Sequence, residues 1–160
     1  MILFLDINGV IVSDRTHYST GEHGLMVEPD PVALKAIRRF CAKTGARIVL
    51  SSAWRKTNGV LEHMSEWGLH HLLYDPPGGN RNDWRTITAP CDDSLLHERG
   101  IEIKEWLDRH PEETRYVILD DQPHQILPAQ EKHLILCDPH EGMTSKNIYQ
   151  LMQLAGYYHH

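Results

Sequence analysis

The chain has 160 residues, of which 41% are apolar and 24% are charged, a composition typical of one globular domain with a substantial core. Its 22 acidic side chains outnumber 16 basic ones, and the formal net charge of -6 disfavours a general nucleic-acid binder, which usually carries a basic excess. A local basic site remains compatible with that balance. The first apolar run meets Asp6 almost at once, so the sequence predicts neither a signal peptide nor a membrane span.

The cysteines are few and lie far apart in the sequence. Their number is odd and no C-x-x-C pair occurs among Cys41, Cys91 and Cys137. Free thiols in a reducing compartment explain this pattern better than a disulfide framework or a zinc site. The sequence therefore predicts a cytoplasmic protein without a membrane partner.

Strands are predicted where short apolar runs occur. The strong candidates are, in chain order, Ile2–Leu5, Arg47–Leu50, Tyr116–Leu119 and His133–Cys137, because near-continuous apolar runs are typical of buried parallel strands. Val10–Val12 is a candidate for a short hairpin arm, and Trp84–Thr88 is a weaker strand candidate within a region rich in Pro, Gly and Asn.

Helices are predicted between these strands. Asp30 and Pro31 are suited to the N-cap and first position of a helix that ends near Gly45. Thr57 or Asn58 is expected to cap the next helix. The later helices are expected over Arg99–Arg109 and after Thr144, which is a candidate N-cap.

Alternation of strands and helices along the whole chain predicts an α/β three-layer sandwich with a mostly parallel sheet and helices on both faces. No repeat or low-complexity tract divides the chain. We expect one domain over residues 1–160 without a large cap, and flap segments at about 13–29 and 75–94.

Polar residues follow three of the predicted strands: Asp6 with Asn8, the pair Ser51-Ser52, and the pair Asp120-Asp121. In an open parallel sheet the carboxyl ends of the strands share one edge, where ligands bind. Carboxylates that meet there repel each other unless a cation lies between them. Hard oxygen ligands are what Mg²⁺ prefers, so we expect a magnesium site at this edge.

Each of these signals has an ordinary structural explanation. Asn-Gly between apolar runs is the strongest short-range hairpin signal, so Asp6 and Asn8 could be turn residues only. Ser51 and Ser52 could cap a turn, and Asp120-Asp121 could be a solvated strand end. Their shared position after strands favours the functional interpretation.

Together these stretches resemble the motifs of the haloacid dehalogenase (HAD) superfamily of phosphotransferases, whose first motif is Asp-x-Asp-Gly after an apolar strand. The matching residues are, in motif order, Asp6-Ile7-Asn8-Gly9, Ser51 or Ser52, Arg99, and Asp120-Asp121. The resemblance covers nearly the whole chain. The run from Ser51 to Arg55 is most similar to small cap-less members, including phosphatase domains associated with nucleic-acid end repair.

The resemblance implies a Rossmann-like, HAD-like fold and a phosphomonoesterase that acts through an aspartyl phosphate on Asp6. It implies Mg²⁺ as the cofactor, held by Asp6, the backbone carbonyl of Asn8, and the pair Asp120-Asp121. A non-catalytic module that binds phosphate and Mg²⁺ is the alternative.

The resemblance also implies the groups that contact phosphate. The hydroxyl of Ser52, with Ser51 as the alternative, would bond the transferring phosphoryl group. Arg99, or failing it Lys104, would pair with the nucleophile and phosphate. Arg55 is either a second phosphate clamp or an ordinary arginine at the start of a helix.

Asn8 departs from the family pattern, because hydrolytic members carry a second Asp there that protonates the leaving group and later activates water. A carboxamide does neither, and general acid-base catalysis is typically worth about 10²–10⁴-fold in rate. The chain is therefore an engineered trap, a natural member that is weakened or non-hydrolytic, or an enzyme in which another group supplies the proton. His17 and His23 in the first flap are candidates for that group.

The absence of a predicted lid suits a phosphate on a large molecule, such as a nucleic-acid end or a protein. A nucleotide is the smaller alternative. Trp84, Arg81 and Arg85 could contact bases and phosphates, whereas packing is favoured for Trp54. A signalling receiver domain is disfavoured because its acidic pair ends the first strand, whereas here a single acid comes first. A dinucleotide-binding fold would require G-x-G-x-x-G after the first strand, and this motif is absent.

Overall fold

The computed structural model describes residues 1–16, 28–87 and 97–158. Over these residues one parallel sheet has the strand order β2-β1-β3-β4. Its strands are β1 (Ile2–Leu5), β2 (Arg47–Leu50), β3 (Tyr116–Asp120) and β4 (Leu134–Leu136). The predicted parallel α/β sheet is confirmed. Because the chain moves from β1 to β2 on one side and then to β3 on the other, the order reverses beside β1, where ligands bind in such sheets.

The helices of the described residues are α1 (Pro31–Thr44), α2 (Val60–Glu66), α3 (Glu98–Arg109) and α4 (Ser145–Leu154). Short 3₁₀ turns occur at Ala53–Lys56, His70–Leu72, Pro123–Gln125 and Pro128–His133. The predicted cap of α1 is confirmed, since Asp30 accepts a hydrogen bond from the Val32 backbone N–H. Thr144 likewise caps α4.

The predicted cap of α2 is wrong. Gly59, in the left-handed region at φ 85°, precedes this helix without a side-chain cap. Thr57 instead ends the preceding 3₁₀ turn by donating its N–H to the Trp54 carbonyl. Thr57 and Asn58 thus belong to the short connection between this 3₁₀ turn and α2.

Both faces of the sheet are covered. Leu3 and Leu5 of β1 belong to the core that contains α1, α2 and α4 side chains, whereas Ile2 and Phe4 belong to a second core that contains Ile103 and Trp106 of α3. Alternate residues of one strand thus enter opposite cores, as expected of a central strand. The predicted three-layer arrangement is confirmed.

Two predicted minor strands take other forms. Residues 9–12 close a tight turn, in which the backbone N–H groups of Ile11 and Val12 both point to the Ile7 carbonyl, so Val10–Val12 is not a hairpin arm. Within the described residues 84–87, a single bridge between Leu50 and Arg85 represents the strand predicted over Trp84–Thr88; Thr88 itself lies outside the described residues. Most of the flap 13–29, with His17 and His23, and the end of the flap 75–94 lie outside the described residues.

Cys41 and Cys137 are buried free thiols, and burial raises the pKa of each to about 12. Across the described ranges, no helix combines the length and the apolar character needed to cross a membrane.

Candidate active site

Strand register brings the three predicted polar positions to one edge. Leu5 of β1 pairs with Leu50 of β2 and with Leu119 of β3. The next residues continue the ladder, since Ser51 N–H donates to the Leu5 carbonyl at 3.0 Å and Asp6 N–H donates to the Leu119 carbonyl at 3.0 Å. Asp6 therefore lies between Ser51 and Asp120, beside the reversal of strand order.

Three carboxylates converge at this edge. One oxygen from each of Asp6, Asp120 and Asp121 lies within 4.8 Å of the others. Asp6 and Asp120 are almost fully buried, and Asp121 is half-buried. The Ile7 backbone N–H donates to Asp6 Oδ1 at 2.9 Å, which fixes the orientation of this carboxylate.

Arg99 at the start of α3 is the cation that faces this cluster. Its Nη1 lies 2.8 Å from Asp6 Oδ2 and 2.6 Å from Asp120 Oδ2. Burial alone would lower the pKa of this guanidinium, but the two carboxylates outweigh burial and raise it. Arg99 pairs with two of the three acids and not with Asp121, which leaves the cluster short of positive charge.

The pKa values of both Asp120 and Asp121 are raised above the ordinary aspartate value. Burial raises the pKa of Asp120, and Arg99 only partly opposes this. Burial, then the charges of Asp6 and Asp120, raise the pKa of Asp121 to about 6. Buried Asp121 Oδ1 has no hydrogen-bond partner among the described residues, as expected of an oxygen positioned for a ligand.

The turn after Asp6 packs directly against Asp121. Gly9 has φ +74°, and a Cβ at this position would lie 2.2 Å from Asp121 Oδ2. Both the backbone conformation and the available space therefore require glycine. Asn8, Gly9, Asp14 and Asp121 line one cleft of about 340 Å³ with Val12, Ser13 and Pro139.

Asn8 is exposed, and Trp54 orients its side chain. The Trp54 indole Nε1 donates to Asn8 Oδ1 at 3.1 Å, while the ring packs beside His63 and Trp67. The packing role that the sequence favours for Trp54 is confirmed, but the indole also contacts the first motif. No feature of the sequence links these two residues.

The two serines have different environments. Ser52 Oγ accepts a hydrogen bond from the Trp54 backbone N–H at 3.3 Å and caps the 3₁₀ turn at Ala53–Lys56. Ser51 is fully buried beside Asp6, and its Oγ has no hydrogen-bond partner in the described part of the chain. The structure thus gives Ser52 the capping role and leaves the Ser51 hydroxyl available.

Arg55 differs from the predicted phosphate clamp. Its side chain is buried, with Nη2 2.7 Å from Glu102 Oε1 of α3 and Nη1 donating to the Ser52 carbonyl at 2.8 Å. This ion pair ties the segment after β2 to the helix that carries Arg99. Glu102 was missed by the sequence reasoning, although a glutamate among the apolar residues of a helix is the available signal of a buried ion pair.

Lys104 takes part in neither of the ion pairs of Asp6 and Asp120, which within the described residues both belong to Arg99. It is exposed and pairs with Asp108 one turn further along α3. Of the two predicted partners of the nucleophile, Arg99 and Lys104, Arg99 is the one that contacts Asp6. A second missed pair is Asp14 with His140, whose Nδ1 lies 2.6 Å from Asp14 Oδ2; Asp14 lines the cleft.

A parallel sheet that places an aspartate after its central strand, opposite a later acidic pair and an arginine, is the arrangement of a small HAD-type phosphatase domain. Comparison with protein families supports this class: residues 2–148 match the family described as the HAD domain in Swiss Army Knife RNA repair proteins. The chain belongs to this family. No curated protein and no solved structure matches the chain.

Proposed function

We propose that the protein is a Mg²⁺-dependent phosphomonoesterase that forms an aspartyl phosphate on Asp6 and acts on the phosphate end of a nucleic acid. The observation that carries this proposal is the convergence of Asp6, Asp120 and Asp121 within 4.8 Å, with Arg99 between the first two. The family described for RNA repair proteins supports a nucleic-acid substrate.

The donor set fits a magnesium ion. Asp6, Asp121 and Asp120 supply hard carboxylate oxygens, and the Asn8 backbone carbonyl is the further ligand that the family pattern implies. Burial, and then the neighbouring charges of Asp6 and Asp120, raise the pKa of Asp121 to about 6, and a cation at this site would oppose both effects. When bound, Mg²⁺ would offset this charge and neutralise phosphate oxygens.

Asp6 is the nucleophile in this proposal. Its carboxylate attacks phosphorus, an Asp6–phosphorus bond forms, and the bond from phosphorus to the leaving oxygen breaks. Water then hydrolyses the acyl phosphate, which releases inorganic phosphate and regenerates the carboxylate. Arg99 orients Asp6, and the Ser51 hydroxyl, rather than that of Ser52, donates to the phosphoryl group.

Asn8 determines which step is slow. A carboxamide cannot protonate the departing oxygen, so an alkyl leaving group departs slowly while a good aryl leaving group departs without help. Asn8 also cannot activate water, so hydrolysis of the acyl phosphate is slow. Accumulation of phosphorylated Asp6 is therefore the expected behaviour with an aryl phosphate.

A non-catalytic module that binds phosphate and Mg²⁺ is the second candidate, and Asn8 is the observation that favours it. A rapid-mixing experiment with 4-nitrophenyl phosphate and Mg²⁺ separates the two. The proposal expects a burst of about one 4-nitrophenolate per protein, followed by a slow phase, and no burst from Asp6→Asn. Phosphate-dependent protection from thermal unfolding without any burst would favour the binding module.

A further inference from the structure

Beside the candidate active site lies a groove on the side of β2. Residues 84–86 run along the end of this strand, since Leu50 N–H donates to the Trp84 carbonyl at 2.8 Å and Thr86 N–H donates to the Leu50 carbonyl at 2.9 Å. Leu50 directly precedes Ser51 of the candidate active site. The segment 84–86 therefore lies beside the strand end that carries Ser51. Its groove has a volume of about 450 Å³ and is lined by Arg55, Lys56, Asn80, Asn82, Arg85, Thr86 and Ile87.

We call this the Lys56–Arg85 groove. Neither Lys56 nor Arg85 has a carboxylate within ion-pair distance among the described residues. Some basic residues elsewhere do have such a partner, among them Arg15 with Asp30, Lys104 with Asp108, and Arg109 with Asp83. Lys56 is exposed, and an adjoining groove of about 300 Å³ is lined by both cations and by one acid, Glu62. In a chain with a formal net charge of -6, two unpaired cations beside the site are a local attraction for anions.

Arg85 is held in place before any ligand binds. Its Nη1 donates to the Arg55 carbonyl at 2.7 Å, and its Cζ lies 5.0 Å from the centre of the Trp84 ring. Fixing a long side chain in advance lowers the entropic cost of binding. Asn80 and Asn82 add amide groups, and Ile87 adds an exposed apolar surface.

We propose that the Lys56–Arg85 groove binds the sugar-phosphate backbone of the nucleotides next to the terminal phosphate, so that the substrate is a single-stranded polynucleotide end. This inference rests on the proposed function, because it assumes that the terminal phosphate lies at Asp6. Spaced cations with amide and apolar contacts suit a strand that is bound without strong sequence preference. The groove contributes binding only, and hydrolysis stays with Asp6.

The test uses Lys56→Gln and the double variant Lys56→Gln/Arg85→Gln. Matched controls are Lys132→Gln and Lys132→Gln/Arg115→Gln. Residues 115 and 132 precede β3 and β4 and so lie towards the amino-terminal ends of these strands, whereas the groove lies beside the carboxyl end of β2. Fluorescence anisotropy measures binding of a labelled 12-nucleotide RNA with a terminal phosphate and of the same RNA without it. Turnover of 4-nitrophenyl phosphate reports the active site separately.

The double variant should weaken RNA binding at least about tenfold, and its log–log salt slope should be smaller by about 1.4, as for two lost contacts to a single strand. Burst kinetics with 4-nitrophenyl phosphate should stay within about twofold, and the control variants should bind like the wild type. The single variant Lys56→Gln should also bind RNA more weakly than the wild type. Because the Lys56 side chain is exposed, its replacement does not disturb the fold, and weaker binding then reports loss of the cation rather than misfolding.

Equal RNA affinity in wild type and double variant would overturn the inference, as would displacement of the RNA by an equal concentration of a phosphorylated peptide. Failure of the proposed function has a different signature: no burst with 4-nitrophenyl phosphate in the wild type, whatever the RNA affinity. Loss of both RNA binding and the burst in the double variant would also overturn the inference, because the groove would then not be a separate binding surface.

Discussion

Trp54 Nε1 lies 3.1 Å from Asn8 Oδ1 and donates a hydrogen bond to it, so the side chain at position 8 is held by a rigid neighbour rather than left to rotate in solvent. An indole N–H donates equally well to a carboxylate. The surroundings of position 8 therefore suit the aspartate that the family pattern carries there.

Replacing Asn8 by Asp should raise turnover of an alkyl phosphate by at least about tenfold, because the new carboxyl group can protonate the leaving oxygen and then activate water. Steady-state release of inorganic phosphate measures this effect. Asn8→Ala is the control and should not gain activity. Equal alkyl phosphatase rates for Asn8→Asp and the wild type would refute the role assigned to position 8.

Removing the Arg99 guanidinium should impair the site far more than removing the cation at Lys104. Arg99→Ala leaves Asp6 and Asp120 without their shared partner, and loss of such a positioned charge typically costs about 10²–10³-fold in rate. Lys104→Ala breaks only an exposed pair with Asp108 and should keep its activity. A similar loss from both variants in the aryl phosphate assay would contradict this assignment.

Alanine at Gly9 should disturb metal binding, whereas alanine at Gly45 should not. Both glycines have positive φ, at 74° and 70°, but only the Cβ at position 9 would meet Asp121, whereas position 45 has no atom within 4 Å. Each variant should lose about 1–2 kcal/mol of stability from backbone strain. Only Gly9→Ala should also need a higher Mg²⁺ concentration for thermal protection, and an unchanged midpoint would argue against contact between this turn and the ligand set.

Asp121→Asn should stabilise the metal-free protein at neutral pH. The pKa of Asp121 in the folded chain, about 6, exceeds the ordinary aspartate value of 3.8, so the folded state holds this proton more tightly and loses stability as pH rises through this window. The variant should therefore melt higher at pH 7.5, by about 2–4 °C for a gain of about 1 kcal/mol. The difference should vanish near pH 4.

The response of Asp121→Asn to Mg²⁺ is a second test of the role of Asp121. Wild-type protein should gain thermal stability from Mg²⁺ at pH 7.5, and Asp121→Asn should gain less, because one anionic ligand is missing. Thermal shift assays with and without Mg²⁺ measure both effects. A variant that melts lower than the wild type in the absence of metal would show that the acids of this cluster do not repel each other.

Breaking the buried pair between Arg55 and Glu102 should cost about 3–5 kcal/mol, because one buried charge then remains uncompensated. Glu102→Gln tests this by denaturant unfolding, with exposed Glu105→Gln as the matched control. The double variant Arg55→Met/Glu102→Leu should recover most of the loss, since an apolar pair removes both charges. A fully stable Glu102→Gln would mean that this pair does not hold α3 against the segment after β2.

Much of the fold can be predicted because it depends on interactions between residues that are close in the sequence. The strand Ile2–Leu5 is predicted with its observed bounds because a strand covered on both faces reads as a continuous apolar run, and Asp30-Pro31 starts α1 because cap chemistry is local. The meeting of Asp6 with Asp120 is also predictable, since parallel strands place their carboxyl ends together.

What the sequence leaves undetermined depends on distant contacts. Arg55 resembles a phosphate clamp until Glu102, far along the chain, is known to lie 2.7 Å away. Ser51 and Ser52 are indistinguishable as a pair, and only the turn that begins at Ala53 gives Ser52 its partner. The link between Trp54 and Asn8 has no periodic signal, because both residues lie outside helices and strands of regular pattern.

The central position of β1 matters while the polypeptide is being synthesised. Asp6 leaves the ribosome with the first strand, but Arg99 and Asp120 follow much later, and until then β1 can pair with β2 alone. Its other edge meanwhile exposes backbone groups that recruit foreign strands. A nascent chain arrested before β3 would carry Asp6 without Arg99, its cation partner, so degradation rather than partial activity is its expected fate.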